Sequence, residues 1–171
     1  MHFGHTNICK FNCSTTGEKI RPWTDVEEMD EDMVDNWNKV VGEFDRVYVL
    51  GDVVINRKHL KTLGRLKGKK VLIRGNHDIF PLAEYTPYFE DVRGYKVTKE
   101  FICSHIPLHP ESLSRWPTNI HGHLHQRRVM NDMGDIDPRY FSVCVEQIDY
   151  VPIEYREMCK RIAKEWNFFE K

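Results

Sequence analysis

Long apolar runs are missing from this sequence. No stretch approaches the roughly 18 residues that a bilayer-spanning helix requires, so no helical membrane span is expected. Net charge is missing too: 25 Lys and Arg face 26 Asp and Glu, a formal charge of −1. Such a chain has no global field for gathering nucleic acid or an anionic membrane, although a local basic patch stays open. Met1-His2-Phe3-Gly4-His5 shows neither a basic region followed by an apolar stretch nor a cleavage site, so no secretory leader is expected. Cysteine is scarce and odd in number, five in a chain too long to need stapling. Reduced thiols and a cytoplasmic setting follow as expectations. Cys9 and Cys13 lack the companions that would complete a zinc spacing, and Cys103 and Cys144 lie in apolar runs as small core residues. Repeats, low-complexity tracts and Gly/Ser/Pro linkers are also lacking, so one domain over 1–171 is expected.

What is present is an ordinary globular composition, 40% hydrophobic and 30% charged. Thr24 to Glu27 reads as a capping box, and Val26, Met29, Met33, Trp37 and Val40 follow at helical spacing, a core-facing stripe. Short apolar runs at Val47–Leu50 and Val71–Ile73 flank a basic helical stretch from Arg57 to Leu66. Two strands are expected within 95–104, further strands at Thr118–Ile120 and Tyr140–Val145, and a terminal amphipathic helix over Glu154–Phe169. The irregular segment Pro107–Pro117 reads as a loop over the site. Short Val-, Ile- and Tyr-rich runs alternating with helices predict a layered α/β fold.

One arrangement recurs. An apolar strand ends, and within a few residues come Asp, Asn or His, usually beside a glycine: Gly51-Asp52, Gly75-Asn76-His77-Asp78, Ser104-His105 and Gly122-His123-Leu124-His125. In open α/β sheets the carboxyl ends of strands share one rim, so these side chains are expected to converge. Eight of the nine histidines, all but His59, lie in or beside such segments. A satisfied core histidine explains His59 but not a cluster bounded by Gly-Asp and Gly-Asn-His-Asp. Imidazole, carboxylate and amide oxygen together make a mixed N/O set suited to Mn, Fe, Zn or Ni.

These four motifs, in this order and spacing, resemble the calcineurin-like metallophosphoesterase superfamily. His2-Phe3-Gly4-His5-Thr6-Asn7-Ile8, Arg21-Pro22, Asn36-Trp37-Asn38 and Val143-Cys144-Val145-Glu146 extend the similarity to its small bacterial and phage members, over nearly the whole chain. The resemblance implies a pair of β-sheets flanked by helices, with two divalent metal ions at the strand ends. Manganese is the expected metal, with Fe, Zn, Ni or Mg as alternatives. Asp52 would bridge the two ions. Asn76, His105 and His123 would complete one position, and His2 and His125 would serve the other. His77 would be catalytic, giving a proton to the leaving alkoxide while a hydroxide shared by the ions attacks phosphorus. Asp78 would either orient His77 or cap the following turn.

The family's first motif is Asp-x-His, and here the histidine is His2, so its aspartate and the preceding strand lie outside the sequence. Three readings compete: a late start, one tight metal beside a weak one, or a binding module on an enzyme frame. The presence of His77 argues against the last. His5 and Arg127 are candidates for touching substrate. For His5, as for His109 and His121, a hydrogen-bonding role behind the ligands is the alternative, and for Arg127 and Arg128 it is a solvated turn. Lys58 to Lys70 lacks interleaved aromatics and reads as an exposed helix face rather than a nucleic-acid site, and Trp116 reads as loop packing. The expected activity is phosphodiester hydrolysis of small nucleotide-like substrates. A nuclease acting on polymer and a catalytically silent interaction module are the alternatives.

Overall fold

The computed structural model describes residues 1–13 and 16–169, the side chains of 167–169 apart. Its β-branched runs form two sheets. Strands β1 (Arg46–Val49), β2 (Lys69–Ile73) and β3 (Asp91–Arg93) pair in that order, all parallel. Strands β4 (Tyr95–Val97), β5 (Phe101–Ser104), β6 (Thr118–His121) and β7 (Tyr140–Ser142) form the second sheet, antiparallel at β4–β5 and parallel thereafter. The result is the expected α/β class. Alternation along β5 decides which layer each side chain joins, because successive residues point to opposite faces. Phe101 packs with Ile120 and Phe141 against Leu50 and Ile73 of the first sheet and Met158 and Ile162 of the terminal helix. Ile102 points the other way, under Leu113 and Tyr140.

Helix α1 (Val26–Val40) closes the far face of the first sheet through Met29, Met33, Val34 and Trp37. Its cap is Asp25, whose carboxylate accepts from the Glu28 N–H at 3.0 Å, one residue beyond the expected Thr24. Val40, expected in the buried stripe, is exposed, because the helix ends there and Val41 turns inward instead. Asp30 is a buried acid within that stripe. It accepts from the Gly4 N–H and from His59 Nδ1 (2.7 Å), so His59 is the partnered histidine its isolation suggested, and α1 is tied to the segment carrying His2 and His5. The basic stretch is a 3₁₀ helix, Arg57–Arg65. A four-residue helix α2 (Leu82–Tyr85) follows β2, and α3 (Tyr155–Phe169) is the expected terminal helix.

Two further expectations need correction. The last strand stops at Ser142 rather than Val145: its partner β6 ends at His121, where Gly122 turns the chain, and Val145–Gln147 winds into a 3₁₀ turn. The loop after β5 is anchored on the outer face of the second sheet. Leu108, Leu113 and Trp116 cover Ile102 and Tyr140 there. The Leu108 N–H donates to Asn119 Oδ1 and its carbonyl accepts from the Tyr140 hydroxyl. Among the described residues, no helix is long and apolar enough to cross a membrane.

Candidate metal centre

The polar residues after the strands do converge. Asp52 follows β1, Asn76 to Asp78 follow β2, His105 follows β5, and His123 and His125 follow β6. The segment at His2 and Phe3 runs beside them, with the His2 N–H donating to the Asp52 carbonyl and the Phe3 N–H to the Val53 carbonyl. His2, Asp52, His123 and His125 all hold left-handed backbones, φ 67°, 52°, 69° and 53°. Non-glycine residues there cost about 1–3 kcal/mol each, a strain that folds store where side-chain direction matters more than stability. Glycines permit the close approach. A Cβ on Gly51 (φ 79°) would sit 2.5 Å from His105 Nδ1, and one on Gly75 would collide with the Asp52 carboxylate.

Asp52 is buried at the middle of the group. Its Oδ1 accepts from the His77 N–H at 2.9 Å, while Oδ2 lies 3.2 Å from His105 Nε2 and 3.6 Å from His2 Nε2. His105 Nδ1 is 2.7 Å from the Leu50 carbonyl, which can only accept, so Nδ1 carries the hydrogen. Nε2 then faces the Asp52 carboxylate and, at 3.0 Å, the Asn76 amide oxygen. Lone pairs meeting in this way are stable only with a cation among them, either a proton on His105 or a metal ion. Burial alone would lower the His105 pKa, but its bonds with Asp52 and Leu50 prevail and hold it above the ordinary histidine value. Burial likewise works to raise the Asp52 pKa, and is overcome by His105 and the His77 N–H, leaving it below the ordinary carboxylate value. His123 stands lowered by burial and then by its neighbour His105.

The distances fit the second kind of cation as well as the first. Two donors each about 2.1 Å from a metal and about 90–110° apart lie about 3.0–3.4 Å from one another, which is the observed spacing from His105 Nε2 to Asp52 Oδ2 (3.2 Å) and to Asn76 Oδ1 (3.0 Å). The ligand atoms of Asp52, His105 and His123 fall within 4.8 Å of one another, so these residues could hold a divalent ion.

His2 and His125 gather beside this group. Their rings stack at 5.1 Å between centroids, and His2 also meets His77 edge-on at 5.8 Å and His5 at 5.5 Å. His2 Nδ1 and His5 Nδ1 are buried without a hydrogen-bond partner. Burial pushes the His2 pKa strongly down and lowers that of His5, favouring the uncharged imidazole in both. His77 itself is exposed. Asp78 is buried, and its oxygens accept from the N–H groups of Asp52 and Gly75 (both 2.8 Å) and Val53 (2.9 Å). Those bonds clasp the two metal-motif loops together, a role neither sequence alternative named. Arg127 is exposed, whereas the Arg128 guanidinium is bound to Glu165. His121 lies in the core with its pKa lowered to about 4 by burial, and His109 caps the 3₁₀ turn Pro110–Leu113. Cys9 is buried and its thiol donates to the Asp25 carbonyl, a packing role.

The residues that sequence reasoning left without a role are Arg21 and Glu146, both buried. Glu146 Oε1 lies 3.0 Å from Arg21 Nε and 2.9 Å from His125 Nδ1. Burial favours a protonated Glu146, yet the bond from His125 and the Arg21 charge outweigh it and hold its pKa at about 2. Glu146 follows β7 as the other site residues follow their strands, and that placement was the available signal. A cavity of about 510 Å³ has His2, Asp52, His123, His125 and Glu146 on its wall and extends as far as Val40, Arg46 and Met158.

No protein-family model matches the chain. It belongs to the family of the uncharacterized protein MJ1445 of Methanocaldococcus jannaschii, with 36% identity over 173 residues, 95% of this chain and 88% of that protein. The Gene 66 protein of Mycobacterium phage L5 is 41% identical over 83 residues, 46% of this chain and 36% of its own length. Among solved structures, the protein of unknown function AQ665 from Aquifex aeolicus superposes with a TM-score of 0.69 over 94% of each chain, at 26% identity.

Proposed function

We propose that this chain is a divalent-metal-dependent phosphodiesterase of the calcineurin-like type, acting on small nucleotide-like diesters. The observation that carries the reading is the meeting of His105 Nε2, the Asp52 carboxylate and the Asn76 amide oxygen at 3.0–3.2 Å, with His105 Nδ1 already committed to the Leu50 carbonyl. Its two sheets with flanking helices, and the polar residues gathered at the strand ends, support that reading. Asp52, Asn76, His105 and His123 would hold one ion. His2 and His125, with Asp52 shared, would hold the second, and manganese suits the mixed set. When bound, the ions supply a nucleophile at neutral pH and neutralise charge on the phosphoryl oxygens.

The chain's own residues do the rest. Asp52 fixes the His77 backbone through Oδ1, which sets the exposed imidazole beside His2. From there His77 would donate a proton to the leaving alkoxide oxygen. His5, whose ring lies 5.5 Å from that of His2, and the exposed Arg127, two residues after His125, would receive non-bridging oxygens of the substrate. Near-zero net charge favours small diesters over polymer.

Mn²⁺-dependent hydrolysis of bis(p-nitrophenyl) phosphate tests the activity. His77→Ala is expected to lower kcat by about 10²–10⁴-fold on an alkyl diester, the usual contribution of a general acid, with Mn²⁺ affinity unchanged. The loss should be much smaller with the nitrophenyl diester, whose leaving group needs no proton. Equal losses on both substrates would remove His77 from the acid role.

A further inference from the structure

We infer that Glu146, anchored by Arg21, is the positioning residue that builds the second cation position by locking His125. The inference rests on the metal-binding reading above and deepens it. Glu146 and Arg21 have side chains only 2% and 1% exposed, and their ion pair spans 125 residues of sequence. A buried pair of this kind stabilises little by itself, since desolvation offsets most of the attraction, so it is better explained by what it holds in place. It holds two things. Glu146 Oε1 accepts from His125 Nδ1 at 2.9 Å, and Arg21 Nη1 donates to the Met1 carbonyl at 2.7 Å, next to His2. One charge pair therefore grips His125 and the residue that precedes His2.

The bond to Glu146 also settles His125 chemically. A carboxylate can only accept, so the ring hydrogen stays on Nδ1 and the lone pair on Nε2, at the end of the ring away from Glu146. Its ring stacks at 5.1 Å on His2, whose Nε2 is 3.6 Å from Asp52 Oδ2. Behind the first position the equivalent partner of His105 is the neutral Leu50 carbonyl, whereas behind the second it is a carboxylate. A carboxylate behind an imidazole fixes its tautomer and its plane.

Mn²⁺ binding to the full chain, followed by calorimetry and electron paramagnetic resonance, tests this. The unaltered protein should bind two ions and show the multiline signal of a coupled Mn²⁺ pair. In Glu146→Gln the tighter step should be unchanged while the weaker one falls by about 10–100-fold, and the six-line signal of an isolated ion should replace the multiline signal at the same metal concentration. Glu146→Asp, which keeps the charge on a shorter arm, should restore part of the loss, and it serves in place of the glutamine variant should that not fold. Two steps unaltered in a folded Glu146→Gln would overturn the inference and leave the metal-binding reading standing, as would two steps weakened equally. Absence of any Mn²⁺ binding to the unaltered protein would overturn both.

Discussion

Asp52→Asn is expected to weaken divalent-metal binding by about 10³-fold and to abolish metal-dependent hydrolysis, with the fold preserved. Coulomb's law at about 2.1 Å and an effective dielectric of about 20 gives ~8 kcal/mol per unit charge pair. Retaining about half of that for the amide dipole and relaxation leaves a loss of ~4 kcal/mol, or about 10³ in the dissociation constant. The fold should survive because asparagine keeps an oxygen in place of Oδ1, the atom that accepts the His77 N–H, and occupies the same volume. Both positions should be affected together, since Oδ2 lies near His105 Nε2 and His2 Nε2 at once. Calorimetric titration with Mn²⁺ and a thermal melt on the same sample check the two halves. Undiminished binding would show that the carboxylate is not shared between ions.

The second large effect is on stability. Asp78→Ala is expected to cost about 3–5 kcal/mol, because it strips the acceptor from the buried N–H groups of Asp52, Val53 and Gly75. A buried donor left unsatisfied costs about 1–3 kcal/mol, and water admitted by the smaller side chain offsets part of the sum. Against a typical total of about 5–15 kcal/mol, this variant would be marginally folded. Asp78→Asn keeps one accepting oxygen and should cost distinctly less. Urea midpoints of the three proteins provide the comparison, and an alanine variant within ~1 kcal/mol of the original would mean that Asp78 is not the clasp. The distinction matters for the proposed catalysis, because a clasp acts on rate only through the loops it holds, whereas His77 would act on the leaving group itself.

Most of the site was legible from the chain because its residues obey a positional rule. Asp52, Asn76, His105, His123 and His125 each follow a strand within a few residues, and adjacent parallel strands bring their carboxyl ends to one rim. The rule also covered Glu146, but its meaning depends on Arg21, which lies 125 positions away. Periodicity carries no information about such a pairing. Asp78 shows a different limit. Its place in the motif suggested service to the adjacent histidine, whereas its carboxylate bonds the backbone of a loop 25 residues earlier. The α/β class followed from the alternation of short apolar runs with helical stretches. The end of β7 did not, because a strand lasts only as long as its partner, and Gly122 ends β6. The segment after β5 read as polar, yet Leu108, Leu113 and Trp116 are spaced to cover Ile102 and Tyr140, which only the sheet's second face reveals.

On the proposed reading, Asp52, Asn76, His105 and His123 hold a divalent cation. Anomalous scattering from a crystal grown with Mn²⁺ tests it most directly. A peak is expected about 2.0–2.3 Å from Asp52 Oδ2, Asn76 Oδ1, His105 Nε2 and a ring nitrogen of His123. Ordered side chains in these positions, with His105 bonded directly to Asp52 and no peak at saturating Mn²⁺, would contradict it.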